Sequence, residues 1–161
     1  MVRQTIKSVV LFTLALLIFA GCQKNEGRKN VTGSSTTQKP KKASVIVVPD
    51  SVKGKWKAVK IALTDKTGNK ESLYTIEIGS RLSIPDTKIS IEVESFLPNF
   101  TMNGTVMTSQ SNEPKNPAAR IKIYEEGKEI FNGWLFSLYP TIHAVQHPRY
   151  GFTLVGFIPS G

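Results

Sequence analysis

Apolar and polar residues alternate along most of the chain after residue 45, with the period of two that is typical of β-strands. The clearest case is the stretch 56–64, where Val59, Ile61 and Leu63 fall on one face. The segments with strand-like patterning are 45–48, 56–64, 73–78, 89–93, 120–124, 130–136 and 152–157. No long stretch has a helical period. The pattern therefore predicts an all-β domain, a single antiparallel β-sandwich or small β-barrel of about seven or eight strands.

Turn residues divide these segments. The run Glu125-Glu126-Gly127-Lys128 predicts a tight hairpin, with Gly127 at the position that needs a positive φ. By contrast, residues 98–117 contain three prolines, four asparagines and few aliphatic side chains. That composition predicts a long loop.

The N-terminus has the features of an export signal. Arg3 and Lys7 precede an apolar run, residues 9–20, which is shorter than the roughly 20 residues needed to span a bilayer. The sequence Phe19-Ala20-Gly21-Cys22 then resembles a lipobox, and Cys22 is the only cysteine. We expect residues 1–21 to be a lipoprotein signal peptide and Cys22 to carry the lipid, which anchors the protein to a membrane. Gln23 after the cysteine favours the outer membrane, facing the periplasm.

Residues 22–44 contain no aromatic side chain and one aliphatic one, so we expect a flexible tether before the β-domain of residues 45–161. Six of the 21 Lys and Arg residues lie in this segment with a single acid, Glu26, whereas the domain carries thirteen basic and eleven acidic residues. The excess of basic residues in the tether is therefore the main cause of the high isoelectric point. Such a segment can lie on anionic lipid headgroups or stay solvated, and export argues against nucleic acid as a partner.

Candidate catalytic and metal-binding residues are sparse. His143 and His147 have helical spacing but lie among prolines, and two imidazoles do not complete a zinc site. Ser137 lacks the glycines of a nucleophile elbow, and Glu125-Glu126 is more typical of a solvated turn than of an acid and base pair. We expect no enzyme activity, no cofactor and no metal. For His147 we expect hydrogen bonds to backbone carbonyls that fix the loop between Pro140 and Tyr150.

Aromatic side chains offer a stronger functional hypothesis. Trp134, Phe136, Tyr139 and Tyr150, together with His147, could form a binding surface, because flat rings give contact area at low entropic cost. A purely structural alternative is that Trp134 and Phe136, which share one strand face, belong to the core. Tyr139, next to Pro140 in the loop, is the ring we most expect to be exposed.

The same stretch carries a resemblance to a known family. Phe131, Gly133-Trp134, Phe136, Pro140 and His147-Pro148-x-Tyr150 fit the pattern F-x-G-W-x-F-x3-P-x6-H-P-x-Y. This pattern resembles a bacterial envelope family known as domain of unknown function 2155. The resemblance implies a fold and a compartment but no activity. The resemblance implies that many relatives carry a cysteine pair near the positions that Phe96 and Phe157 occupy here, and often an acidic residue where this chain has Gly151.

Together these features predict a lipid-anchored bacterial envelope protein. We expect its domain to bind another envelope protein through the region of residues 134–150. The alternatives are a peptidoglycan- or glycan-binding module that uses the same aromatic side chains, and a small hydrolase or metal-binding protein centred on His147.

Overall fold

A computed structural model describes residues 43–161 of the 161-residue chain. The predicted signal peptide, Cys22 and nearly all of the predicted tether lie outside the described residues. Within the described part, the chain contains no helix, and hence no helix that is long and apolar enough to cross a membrane.

The all-β prediction is confirmed, with ten strands in place of seven or eight. The strands are β1 (Val45–Val47), β2 (Trp56–Asp65), β3 (Lys70–Glu77), β4 (Arg81–Ser83), β5 (Ile89–Leu97), β6 (Phe100–Asn103), β7 (Val106–Ser109), β8 (Ala118–Glu125), β9 (Lys128–Phe136) and β10 (Tyr150–Pro159).

Two antiparallel sheets share the main hydrophobic core. We call the sheet with strand order β10-β2-β3 the three-stranded core sheet and the one with order β4-β5-β8-β9 the four-stranded core sheet. Ile61 of the first sheet and Val93 and Ile121 of the second are fully buried in one cluster. Neither sheet closes into a barrel, so the architecture is that of a β-sandwich.

A third sheet has strand order β1-β7-β6, and two of its strands, β6 and β7, lie in the stretch predicted as a loop. We call it the small sheet. The loop prediction for residues 98–117 is wrong because β6 and β7 form a hairpin there, with Phe100 packed on Trp134 and Gly104 at a φ of 60° in the turn. Strand β1 pairs with β7 in parallel. The few aliphatic residues were a poor guide here, since an aromatic residue and two methionines supply the apolar side chains.

The predicted hairpin at Gly127 is confirmed. Glu125 of β8 pairs with Lys128 of β9 across a two-residue turn. Glu126 and Gly127 both have positive φ, at 52° and 82°. This is the mirror-image turn that suits the right-handed twist of the flanking strands.

Three aromatic rings join the two core sheets at one end. Trp56 of β2 lies 5.1 Å from Phe96 of β5 and 5.2 Å from Phe157 of β10, and the two phenylalanine rings stack at 5.3 Å. Phe96 and Phe157 occupy the places near which the resemblance puts a cysteine pair. Ring packing therefore connects the sheets at this point of the sandwich.

Candidate functional site

The five residues of the predicted aromatic surface lie in different environments. Trp134 and Phe136 lie on β9, Tyr139 and His147 lie in the loop of residues 137–149, and Tyr150 begins β10. Only Tyr139 is open to solvent, at 53% exposure, whereas Trp134 is 7% exposed and His147 and Tyr150 are also buried. The five side chains therefore do not form one continuous face.

Trp134 connects the four-stranded core sheet to the small sheet. Its neighbour Leu135 points to the opposite face of β9 and packs in the main core. The Trp134 ring contacts Phe100 at 5.0 Å, and its indole N–H donates to the sulfur of Met107 at 3.2 Å. Phe136 contacts the same phenylalanine at 5.1 Å. The structural alternative therefore accounts for the burial of Trp134.

An open pocket of about 350 Å³ adjoins this cluster. Its lining consists of Phe100, Met102, Met107, Arg120, Asn132, Gly133, Trp134, Phe136 and His143. Most of the wall is aromatic or thioether in character. Sequence reasoning missed this pocket because the β6–β7 hairpin that forms one side of it was taken for a loop.

Gly133 has a local structural reason to be glycine. A Cβ atom added there would lie 2.5 Å from the ring of Phe131, two residues earlier on the same face of β9. The ring covers the space that a side chain would occupy. This contact explains the F-x-G part of the motif as packing.

The loop of residues 137–149 is fixed near both ends. The amide of Ser137 donates to the carbonyl of Pro117 at 3.0 Å. At the other end, Lys66 donates its backbone amide to the carbonyl of Arg149 and its ammonium group to the carbonyl of His147, both at 2.8 Å. Val145 is buried in the main core. Hydrogen bonds and one buried side chain thus hold the base of the loop in place.

The imidazole of His147 binds backbone amides. Its Nδ1 accepts hydrogen bonds from the amides of Arg149 at 3.2 Å and Tyr150 at 2.9 Å, and its ring stacks on Tyr150 at 5.2 Å. The predicted restraint of the loop is present, but the prediction of carbonyl partners for the ring is wrong. Because Nδ1 accepts, the proton of the neutral ring is on Nε2, which lies 3.4 Å from the carboxylate of Glu125.

The two histidines are separated. His143 is exposed, has a positive φ of 55° and lines the pocket beside Trp134, whereas His147 is buried against Glu125. Among residues 43–161, no three His, Cys, Asp or Glu side chains come together in a group that could hold a metal ion.

Arg149 and Asp65 form an ion pair beside His147. The guanidinium donates from Nη2 at 2.7 Å and from Nε at 3.1 Å to the same carboxylate oxygen. Hydrogen bonds from Arg149, and then from Thr67, hold the pKa of Asp65 far below its ordinary value of 3.8. The pair joins the end of the loop to the turn after β2.

A wide cleft of about 580 Å³ lies next to His147 and is lined also by Lys88, Glu125 and Arg149. Its two basic side chains are already engaged: Lys88 pairs with Glu126 and Arg149 pairs with Asp65. The basic nitrogen of His147 accepts from two amides and cannot also accept a proton from a substrate without losing them. This arrangement favours a structural interpretation of the His147 region.

The tip of the loop exposes three apolar side chains, those of Leu138, Tyr139 and Ile142, at 55%, 53% and 49%. A turn joins them, with the amide of Ile142 donating to the carbonyl of Tyr139 at 3.0 Å. We call these three residues the loop-tip surface. Sequence reasoning identified Tyr139 but missed Leu138 and Ile142, although their position on either side of Tyr139-Pro140 was a signal.

Comparison with known proteins gives a family but no activity. No curated protein and no solved structure is significantly similar to this chain. The sequence profile of a family described as an uncharacterised protein conserved in bacteria (DUF2155) matches residues 59–156, which include most of both core sheets and the loop. The chain therefore belongs to this bacterial family.

Proposed function

We propose that this protein is a lipid-anchored component of the bacterial envelope whose β-domain binds another envelope protein through the loop-tip surface. The observation that carries the proposal is the exposure of Leu138, Tyr139 and Ile142, each about half open to solvent, on a loop fixed near both ends. Apolar side chains clustered on a rigid support are typical of protein interaction sites. Little ordering entropy would be lost on binding.

A protein partner fits the loop-tip surface better than a glycan does. Two of its three side chains are aliphatic, and only one, Tyr139, has a flat ring. Sugar-binding surfaces rely on exposed rings, and the burial of Trp134 removes the largest ring from that role. A peptidoglycan- or glycan-binding module that uses Tyr139 alone is the second candidate.

A non-enzymatic role is supported by the surroundings of His147. Both of its ring nitrogens have partners within the fold, namely two backbone amides and the carboxylate of Glu125. A general base needs a free nitrogen within reach of a substrate proton. We infer that the histidine orders the loop that carries the binding surface.

The anchoring part of the proposal rests on the sequence. We propose that residues 1–21 are a signal peptide, that Cys22 receives the lipid and that the protein faces the periplasm from the outer membrane. Metabolic labelling with a palmitate analogue should mark the wild-type chain and leave Cys22→Ser unlabelled. Labelling that persists in Cys22→Ser would contradict the anchor.

Site-specific cross-linking in intact cells tests the binding surface. A photoreactive amino acid replaces Leu138 in one variant and Leu73 in a matched control, since Leu73 is equally apolar and 59% exposed on β3. We expect a defined protein adduct from position 138 and none from position 73. Adducts of equal yield from both positions would show that exposure alone explains them.

A sedimentation assay addresses the second candidate. Purified protein is mixed with peptidoglycan sacculi, with Tyr139→Ala and Leu138→Ala compared with the wild type. Saturable binding lost in folded Tyr139→Ala and kept in Leu138→Ala would favour the glycan module. No binding by the folded wild type would favour the protein partner.

A further inference from the structure

Two methionine side chains lie side by side on the small sheet. Met102 of β6 and Met107 of β7 are directly paired in the antiparallel register, so their side chains lie on one face of the hairpin. The Cβ atoms of such a pair are about 5 Å apart. Methionine side chains are long and flexible enough for both sulfurs to reach one point between them.

An imidazole lies on the same pocket. His143 belongs to the loop of residues 137–149 and lines the pocket of about 350 Å³ with Met102 and Met107. The sulfur of Met107 is oriented by the indole N–H of Trp134, which donates to it at 3.2 Å. Met102 has no such hydrogen bond among the described residues and is 55% exposed, so its thioether is free to move.

This donor set selects a particular kind of ion. Thioether sulfur is a soft ligand and binds monovalent copper, and imidazole also suits copper. Zinc in proteins takes thiolate, imidazole or carboxylate ligands, of which His143 is the only one in the pocket lining. Arg120 also lies on the wall, and its positive charge opposes a divalent cation more strongly than a monovalent one.

We propose that Met102, Met107 and His143 bind a Cu(I) ion. The rings of Phe100, Trp134 and Phe136 form the apolar wall behind it and limit the access of water. This site goes beyond the proposed protein-binding role and rests on a different observation. Binding would also join the loop tip, through His143, to the β6–β7 hairpin.

An anaerobic titration with Cu(I), in competition with a chromogenic Cu(I) chelator, tests the proposal. The full chain is used in detergent with Cys22→Ser in every sample, because the thiol of any chain that has not received its lipid would itself bind copper. We expect a single high-affinity ion per chain, and a loss of affinity of at least about 100-fold in the Met102→Leu and Met107→Leu double variant. Leucine has nearly the volume of methionine, so the fold should be kept.

Further variants separate the site from general copper binding. His143→Leu should weaken Cu(I) binding, whereas Gln146→Ala, an exposed change on the same loop, should leave the affinity unchanged. Met102→Leu is the cleanest single variant, because Met107→Leu also removes the acceptor for the Trp134 indole. Wild-type affinity in a folded double variant would overturn the proposal.

A spectroscopic signature provides a second readout. In a Trp56→Phe background the emission comes from Trp134, whose indole N–H contacts a proposed ligand. Cu(I) should quench this emission with the same stoichiometry as the chelator assay, and Zn(II) should not. Quenching that is equally strong in the double methionine variant would contradict a site at this pocket.

Discussion

The imidazole of His147 holds together the chain segment that leads into β10. Its Nδ1 accepts a hydrogen bond from the Tyr150 amide. This amide is buried, so no water could take the place of the imidazole as its acceptor. The backbone carbonyl of His147 accepts a hydrogen bond from the Lys66 ammonium group, which connects the segment to the turn after β2. His147 thus provides hydrogen-bond partners for backbone amides of its own segment and also binds the neighbouring turn.

Substitutions at His147 should separate the contributions of its two ring nitrogens to stability. His147→Gln places no acceptor near Nδ1 and leaves the two amides without a partner, so it should lower the free energy of unfolding by about 2 kcal/mol. His147→Asn places an oxygen near the Nδ1 position and should cost about 1 kcal/mol less. Urea denaturation at neutral pH measures both. Equal losses in the two variants would contradict the importance of Nδ1.

Asp65 should make the free energy of unfolding depend on pH in the acid range. Its pKa is lowered in the folded protein by hydrogen bonds from Arg149 and then Thr67, so the unfolded chain takes up its proton first as the pH falls. The contribution of this carboxylate is therefore complete above its ordinary pKa of 3.8 and is lost at lower pH.

The substitution Asp65→Asn isolates this effect. We expect the variant to be less stable than the wild type at pH 7 and the difference to shrink as the pH falls below about 4. Asp50→Asn, at an exposed carboxylate without an ion pair among the described residues, serves as the control. Denaturant midpoints between pH 7 and pH 3 provide the measurement. A difference that stays constant over this range would refute the assignment to Asp65.

At the scale of elements, strands with regular alternation were predictable and the small sheet was not. The buried face of β2 follows from the spacing of Val59, Ile61 and Leu63, and the β8–β9 turn follows from Gly127. Strands β6 and β7 are four residues each and rely on Phe100 and Met107 to pack on Trp134. That stabilisation is tertiary, so no local period reveals it.

In the candidate site, too, part was predictable from the sequence and part was not. The exposure of Tyr139 was predicted correctly, and the role of residues 134–150 in binding stays a prediction. It could not reveal that Trp134 is covered by the β6–β7 hairpin, nor that His143 lies beside Met102 and Met107. Both facts depend on tertiary contacts between segments that are distant in the chain.

The β8–β9 turn allows a direct test of its predicted geometry. Gly127 has a φ of 82°, and an added Cβ would meet no atom within 4 Å, so Gly127→Ala introduces backbone strain without a clash. We expect a loss of about 1 kcal/mol in the free energy of unfolding. Gly68 also has open space around an added Cβ but no positive φ, so Gly68→Ala should be neutral or slightly stabilising. Equal effects of the two substitutions would count against strain at the turn.

At the scale of the whole molecule, stability should be unevenly distributed between the sandwich and the small sheet. The main core joins both core sheets and is supported by the ring contacts of Trp56, Phe96 and Phe157. The small sheet has one partly buried face and an exposed parallel strand, β1. Elements with few buried contacts open locally without global unfolding.

Native-state hydrogen exchange should show this difference. Amides of β5 and β8, where Ile91 and Ile121 are fully buried, should exchange only through global unfolding, and amides of β7 through local opening. Val45→Pro removes the donor of the 2.9 Å bond to the Thr105 carbonyl, so it should speed exchange in β7. Val45→Ala keeps that donor and is the matched control.

Exchange in β5 and β8 should be the same in both Val45 variants, because the small sheet contributes little to the main core. If Val45→Pro accelerated exchange equally in β5, β8 and β7, the two parts would unfold as one unit. The pocket that contains Met102, Met107 and His143 would then lie within the cooperative core. If the small sheet instead opens separately, a ligand bound in this pocket should slow hydrogen exchange in β6 and β7 first, because binding stabilises the element that holds the ligand.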